Sequence, residues 1–340
     1  MGVTPAPGSG PSSELIDGFG RAIRYLRISV TDRCDLRCRY CMAEKMTFLP
    51  RNRLLALEEI AIIAERFIEH GVRKIRLSGG EPLVRRDVIE LVQRLGSHVG
   101  TGLDELTMTT NATRLADHAE ALAAAGIRRL NVSLDSLDPA TFRYITRHGD
   151  VAQVLDGIAA GKRAGIRIKV NMVALKDLNE HEIGAMLAWC MDEGHDLTLI
   201  ETMPLGAVDE DRTDRFVPLT AVFERLSASF SFSRDLNGTG GPARYWRVNG
   251  GSTRLGLISP LTANFCDGCN RVRLTTEGRL YSCLGHDDQV DLKAALREGG
   301  LPLLDAAIRD GIAAKPRRHD FRIERGAAPA VTRHMSVTGG

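Results

Sequence analysis

The sequence predicts an α/β protein built on a partial TIM-like barrel of six parallel strands, a (βα)6 arrangement, with a smaller C-terminal module. Between about residues 24 and 203, short β-like runs alternate with helical patterns. A strand followed by a helix, repeated several times, produces a parallel sheet. Six strands are too few for a complete eight-stranded barrel, and a doubly wound sheet is the structural alternative. After about residue 205 the alternation stops.

The individual elements can be read from composition and periodicity. The predicted strands cover residues 25–30, 74–78, 105–110, 129–134, 167–174 and 197–203. The predicted helices cover residues 57–69, 87–95, 115–125, 151–164 and 179–191. Gly71, Gly126 and Gly165 each follow a helical run, where a glycine commonly ends a helix. A further helix is predicted near residues 292–297, in the C-terminal module.

Composition sets the domain organisation and the expected compartment. The first 20 residues are rich in Gly, Pro and Ser and predict a disordered tail at 1–20, followed by the barrel at 21–236 and the module at 237–340. A net charge of +2 gives no reason to expect a nucleic-acid or membrane partner. No apolar run approaches a transmembrane length, and no secretory signal is visible. A cytoplasmic location is the expectation.

The seven cysteines favour metal or redox chemistry over disulfides, because their number is odd and the protein is expected to be intracellular. Six of them form two groups of three, and Cys190 stands alone in an apolar helical stretch. Cys190 is therefore predicted to be a buried structural thiol.

The first group, Cys34, Cys38 and Cys41, has the spacing C-x3-C-x2-C. Thiolates of cysteine hold iron–sulfur clusters. A four-iron cluster held by three thiolates leaves one iron open to another ligand, as catalytic zinc keeps an open position. A zinc site is the alternative, although no fourth ligand is adjacent in the sequence.

The second group, Cys266, Cys269 and Cys283, has the spacing C-x2-C-x13-C. The same argument predicts a cluster with one open iron. On spacing alone zinc is an equal alternative. Its fourth ligand would come from one of three candidates: Asp267, His286 or Cys190.

The first group, with Tyr40 just before its last cysteine, resembles the radical S-adenosylmethionine (SAM) superfamily. Gly79-Gly80-Glu81-Pro82, one strand later, is similar to the motif that holds the methionine end of SAM in that superfamily. The resemblance implies a [4Fe-4S] cluster that binds SAM and cleaves it to a 5′-deoxyadenosyl radical. The SAM contacts that it implies are Tyr40, Gly80, Ser133 and Met203.

The sequence FCDGCNRVRL, which begins at Phe265, resembles the second-cluster motif of the GTP 3′,8-cyclase family. This resemblance extends from about residue 25 to the terminal Gly339-Gly340, which in that family reaches into the active site. It implies a second [4Fe-4S] cluster that binds the purine of GTP, and cyclisation of GTP as the first step of molybdenum cofactor biosynthesis. The GTP contacts that it implies are Arg27, Arg76, Thr109, Lys169, Arg271, Val272 and Arg273. Arg27, Arg271 and Arg273 are the candidate catalytic residues.

Two other functions remain open at this point. One is a radical SAM enzyme that modifies a peptide with the help of an auxiliary cluster. The other is a zinc- or cluster-bearing sensor or scaffold, which would explain the cysteines but not the Gly-Gly-Glu-Pro turn. For partners, the resemblance implies GTP, an electron donor and a downstream cyclic pyranopterin monophosphate synthase. A homodimer is compatible with it.

Overall fold

Six parallel strands follow one another in chain order, as predicted, in a computed structural model that describes residues 14–206, 208, 211–236 and 241–339. Within this part of the chain, all twelve strands belong to one sheet, in the order β12-β11-β10-β1-β2-β3-β4-β5-β6-β9-β8-β7. The strands are β1 (Tyr25–Ser29), β2 (Lys74–Ser78), β3 (Glu105–Thr110), β4 (Arg129–Ser133), β5 (Arg167–Val173), β6 (Asp196–Ile200), β7 (Phe232–Asp235), β8 (Arg244–Val248), β9 (Arg254–Ile258), β10 (Arg271–Leu274), β11 (Arg279–Tyr281) and β12 (Gln289–Asp291). The uninterrupted order β1 to β6 rules out the doubly wound alternative, in which the strand order reverses.

The described part of the chain contains ten α-helices, and several of them pack against the strands in the hydrophobic core. They are α1 (Leu57–Glu69), α2 (Val88–Gly96), α3 (Leu115–Ala124), α4 (Pro139–Thr146), α5 (Val151–Arg163), α6 (Ile183–Glu193), α7 (Arg212–Arg215), α8 (Leu219–Leu226), α9 (Leu292–Ala313) and α10 (Met335–Thr338). Side-chain caps fix several starts: Asp138 accepts from the amide of Thr141 at α4, and Asp150 from that of Ala152 at α5. The helix predicted near 292–297 continues to Ala313, with a break at Gly300.

The strands alternate apolar and polar side chains along most of their length. Apolar residues such as Leu26, Ile28, Ile75 and Leu77 belong to the buried core. Polar residues at alternate positions point the other way, because side chains alternate across a strand. The sheet curls around these polar residues: Lys169 on β5 donates a hydrogen bond to Tyr245 on β8 at 3.1 Å, although β6 and β9 lie between these strands. The result is a partial barrel with a polar interior.

The C-terminal module contributes strands to both edges of the barrel. β10 pairs in parallel with β1, and β9 pairs in parallel with β6. The predicted six parallel strands are therefore extended to eight, which the sequence pattern does not reveal because no (βα) spacing surrounds β9 and β10. One sheet includes strands from both sides of residue 236, and the predicted domain boundary there stays a prediction.

The predicted disordered tail is too long at its C-terminal end. Residues 1–13 lie outside the described part of the chain, but residues 14–20 are folded. Leu15 is buried in the core, Ile16 pairs with Ala22, and the Asp17 carboxylate accepts from the Nε of Arg21 at 2.6 Å. The prediction for 14–20 is wrong because these few apolar and charged side chains find partners despite the neighbouring glycines. Among the described residues, none of the helices combines the length and apolar character that crossing a bilayer requires.

Candidate active site in the barrel interior

The loop after β1 brings the first cysteine group to the carboxyl end of the parallel strands. Cys34, Cys38 and Cys41 line one pocket. The four predicted SAM contacts line the same pocket: Tyr40, Gly80, Ser133 and Met203. The structure thus brings together residues that lie on four different loops or strands, at the edge of a parallel sheet where ligands usually bind.

Two glycines let the turn after β2 approach this cysteine loop. The amide of Gly80 donates to the Thr31 carbonyl at 2.8 Å, and the amide of Glu81 donates to the Arg33 carbonyl at 2.8 Å. A Cβ on Gly79 would lie 2.3 Å from the Thr31 oxygen, and one on Gly80 would lie 2.2 Å from the Arg33 oxygen. Only glycine fits such a close backbone approach.

We expect Gly80→Ala to reduce SAM cleavage strongly, because the new methyl group must push the turn away from the residue next to Cys34. Gly184→Ala is the matched control, since a Cβ there meets only Leu226 at 4.0 Å. The measurement is 5′-deoxyadenosine released by reduced, iron-loaded protein. Equal release by Gly80→Ala and the parent would contradict the structural role given to this turn.

Buried carboxylates hold the walls of the first pocket. Glu81 accepts from the hydroxyl of Thr110 at 2.8 Å and from the amide of Asn111 at 2.6 Å. Asp135 accepts from the hydroxyl of Tyr40 at 2.8 Å and from the amide of Val173 at 2.9 Å. Burial raises the pKa of Glu81 to about 7 and that of Asp135 to about 6. Because these hydrogen bonds are all to groups of the protein, Glu81 and Asp135 serve to position neighbouring residues of the pocket wall.

The second cysteine group lines a neighbouring pocket. Cys266, Cys269 and Cys283 lie there, together with five predicted GTP contacts: Arg27, Arg76, Lys169, Arg271 and Arg273. Asn171, Ile200, Met203 and Met335 line both pockets. The two cysteine groups therefore face one continuous interior.

Two of the predicted GTP contacts, Val272 and Thr109, do not line the second pocket. Val272 lies between Arg271 and Arg273, but its side chain belongs to the hydrophobic core on the opposite face of β10. Alternation along the strand turns its side chain away from the pocket, and Val272 as a GTP contact stays a prediction. Thr109 lines the first pocket rather than the second.

The second pocket is strongly basic. Arg273, Arg27 and Arg76 stand side by side on β10, β1 and β2, in one register. Burial lowers the pKa of Arg27 to about 9, and burial also lowers the pKa of Lys169 and Arg273. Among the described residues that line this pocket, none is acidic. Buried cations that line a pocket whose described residues include no acid are arranged to receive an anionic ligand.

Tyr25 is a residue of this site that the motifs do not identify. Its ring is buried below the pocket, with the charged groups of Lys74, Arg76 and Arg271 at 5.2, 5.6 and 5.9 Å from its centroid. Burial by itself would raise the pKa of the phenol, but the surrounding cations lower it to about 8. The alternation of polar residues at 25, 27 and 29 on β1 is a signal that could have located it.

The C-terminal segment closes the interior, as the resemblance implied. The guanidinium of Arg273 donates to the carbonyls of Thr338 at 3.2 Å and Gly339 at 2.6 Å. Gly339 has φ 78°, and a Cβ there would lie 2.0 Å from the Ser78 hydroxyl. Gly340 lies outside the described residues. Met335 of this segment lines both pockets and Ser336 lines the first, so the segment forms part of the interior wall.

Both cysteine groups fit clusters. In the described part of the chain, no three His, Cys, Asp or Glu side chains converge as the ligands of a single metal ion do. A four-iron cluster makes a different demand, because each thiolate binds its own iron. Of the fourth zinc ligands considered, none lines the second pocket. Cys190 is fully buried in the hydrophobic core, as predicted, and His286 is hydrogen-bonded to the Arg318 carbonyl.

Several buried polar atoms inside the barrel have no hydrogen-bond partner within the described protein, which also indicates a ligand site. Within the described residues, the atoms without a hydrogen-bond partner include Arg76 Nε, Thr109 Oγ1, Asn131 Oδ1 and Asn171 Oδ1. Buried polar groups are normally satisfied. A bound polar molecule that reaches both pockets would supply the missing partners.

Solved structures confirm the fold. The chain resembles SuiB of Streptococcus suis bound to S-adenosylmethionine, with a TM-score of 0.61 and 15% identity, over 86% of this chain and 67% of that one. It also resembles anSMEcpe with bound AdoMet and a peptide, with a TM-score of 0.55 and 14% identity, over 85% of this chain and 82% of that one. At such identities the likeness concerns the fold alone, and it supports the predicted partial barrel.

Sequence comparisons identify the family. Residues 28–190 match the model of the Radical SAM superfamily, and residues 195–321 match that of Molybdenum Cofactor Synthesis C. A GTP 3′,8-cyclase of Erythrobacter litoralis is 58% identical, over 97% of this chain and 99% of its own length. A GTP 3′,8-cyclase of Rhizobium etli is 57% identical, over 96% of this chain and 94% of its own length. The chain belongs to the GTP 3′,8-cyclase family of the radical SAM superfamily.

Proposed function

We propose that this protein converts GTP to (8S)-3′,8-cyclo-7,8-dihydroguanosine 5′-triphosphate, the first step of molybdenum cofactor biosynthesis. The observation that carries the proposal is the pairing of two three-cysteine pockets on one barrel interior. The second pocket has buried cations and, among its described lining residues, no carboxylate. A radical generated at the first pocket can then reach a nucleotide held at the second. A peptide substrate would not require this density of buried positive charge.

Three thiolates in each pocket would hold a [4Fe-4S] cluster with one open iron. Cys34, Cys38 and Cys41 would hold the cluster that binds SAM. Cys266, Cys269 and Cys283 would hold the cluster that binds the purine. When bound, the first cluster and SAM would supply the radical that removes the hydrogen from C3′ of the ribose. C3′ could then bond to C8 of guanine, and one electron from the donor with one proton would complete the dihydro product.

The protein's own contribution is binding, orientation and exclusion of water. Tyr40, Gly80, Ser133 and Met203 would surround SAM in the first pocket. Arg27, Arg76, Lys169, Arg271 and Arg273 would bind the triphosphate, with Thr109 at the boundary toward SAM. Arg27, Arg271 and Arg273 would also stabilise the negative charge that develops when the purine nitrogen gains an electron after ring closure. The C-terminal segment would keep bulk water out of the interior.

Tyr25 would hold the cation cluster in position for the triphosphate. We expect Tyr25→Leu to raise the KM for GTP about tenfold with a smaller change in kcat, because each cation–π contact that it removes is worth about 0.5–2 kcal/mol. Tyr25→Phe keeps the ring and should retain most of the affinity. Tyr144→Leu is the control, because the partly exposed Tyr144 ring faces Arg39 at the surface. An unchanged KM in Tyr25→Leu would contradict this role.

The experiment that tests the function is anaerobic reconstitution with iron and sulfide, followed by addition of SAM, a strong reductant and one nucleotide. GTP should yield a new product with the mass of GTP, and ATP should not. No cyclised product from iron-replete protein that cleaves SAM would overturn the substrate assignment and favour a peptide substrate.

The remaining expectations rest on the family and on the chemistry of the cysteines. A cyclic pyranopterin monophosphate synthase would consume the product, and a separate donor would supply electrons. A homodimer is the proposed assembly. The cytoplasm is the proposed location, because its reducing conditions keep the cysteine thiols free to bind clusters.

A further inference from the structure

Lys315 is a buried lysine beside the second cysteine group. It follows α9 and is 3% exposed. Its ammonium donates to the carbonyls of Arg271 at 3.1 Å and of Ser282, and it lies 3.7 Å from the Sγ of Cys269. These contacts connect the segment after Cys269 to the residue just before Cys283. The lysine thus ties together the two chain segments that carry the ligands.

The charge of Lys315 is not compensated by a carboxylate. Among the described residues, no Asp or Glu lies within ion-pair distance of its ammonium, and Arg21 and Arg271 are near enough to repel it. Burying an ammonium group without an anionic partner is costly. The groups in reach that can carry negative charge are the thiols of Cys269 and Cys283.

We propose that Lys315 is the positioning residue and counter-ion of the second cluster, which it makes easier to reduce and less repulsive toward the triphosphate. This inference rests on the function proposed above. Three thiolates around a four-iron core give an anionic site, and the ammonium offsets part of that charge. Net charge and hydrogen bonds to sulfur are among the factors that set the reduction potential of a cluster.

Removal of the ammonium should therefore shift the reduction potential of the second cluster in the negative direction. The shift is measured by EPR-monitored redox titration in a background that lacks the first cluster, Cys34→Ala/Cys38→Ala/Cys41→Ala, so that one cluster gives the signal. In this background we compare Lys315→Met with Lys315→Gln, which keeps a donor but no charge. Lys293→Met is the matched control, since Lys293 donates to the carbonyls of Asn52 and Arg53 and contacts no cysteine.

The expected result is a negative shift in both Lys315 variants, larger for Met, with no shift in the Lys293 variant. If Lys315→Met cannot hold the cluster, the reduction potential of the second cluster in Lys315→Gln tests the inference. An unchanged potential in iron-replete Lys315 variants overturns the inference. In a separate experiment, GTP is added to the parent protein. If the EPR signal of the second cluster does not change on addition of GTP, the result argues against the proposed function, whatever the Lys315 variants show.

Discussion

Arg273→Ala should lose cyclisation of GTP by a factor of at least about 10², the loss typical when a group that stabilises developing charge is removed. Arg273 is 6% exposed, lies next to Arg27 across the β1–β10 pair and donates to two carbonyls of the C-terminal segment. Its removal takes one cation from the triphosphate site and releases the chain end. The cyclised product is measured by mass spectrometry at saturating SAM.

Iron content provides the internal control for this variant, because Arg273 makes no hydrogen bond to a cysteine and both clusters should remain. Arg279→Ala is the matched surface control: Arg279 lies on the neighbouring strand β11 and pairs with Asp291 at a partly exposed site. It should keep full activity. Normal product formation by Arg273→Ala would refute the role of this residue.

Cys38→Ala should abolish SAM cleavage and remove about half of the bound iron, because the first cluster loses one of three protein ligands. Cys38 lines the first pocket. Among the other described residues that line it, only Cys34 and Cys41 are thiols. 5′-Deoxyadenosine release and iron content are measured on protein reconstituted without oxygen.

Cys190→Ala is the matched cysteine control. Cys190 is fully buried in the core on α6 and lines neither cysteine pocket. It should keep all of the iron and the full rate of SAM cleavage, at a cost of about 1 kcal/mol in unfolding free energy. If Cys190→Ala lost iron and Cys38→Ala did not, the assignment of the first cluster would be wrong.

The barrel was predictable because local patterns dictate it. Predicted strands 74–78 and 105–110 and helix 57–69 coincide with β2, β3 and α1, and the other barrel strands differ by one to three residues at their ends. Each of these segments has a clear period and a glycine or a polar cap at its end. The edge strands β9 and β10 were not predicted as barrel strands, because their place depends on pairing with β6 and β1, far away in the sequence.

The same contrast holds for the site. Cys34, Gly80 and Arg273 stand in motifs whose spacing can be read directly from the sequence. Tyr25 and Lys315 belong to no motif. Their neighbours come close only in the folded protein, where strands and the segment after α9 pack together. The folded segment around Leu15 shows the limit of composition, since a few buried contacts order residues in a glycine-rich stretch.

The most direct test of the account is the fate of the hydrogen at C3′ of GTP. With the ribose between the two pockets, GTP that carries deuterium at C3′ should transfer the label to 5′-deoxyadenosine as the cyclised product forms. Mass spectrometry of 5′-deoxyadenosine gives the result. We expect deuterium in 5′-deoxyadenosine, in an amount that matches the cyclised product. Unlabelled 5′-deoxyadenosine in the presence of bound GTP would contradict this expectation.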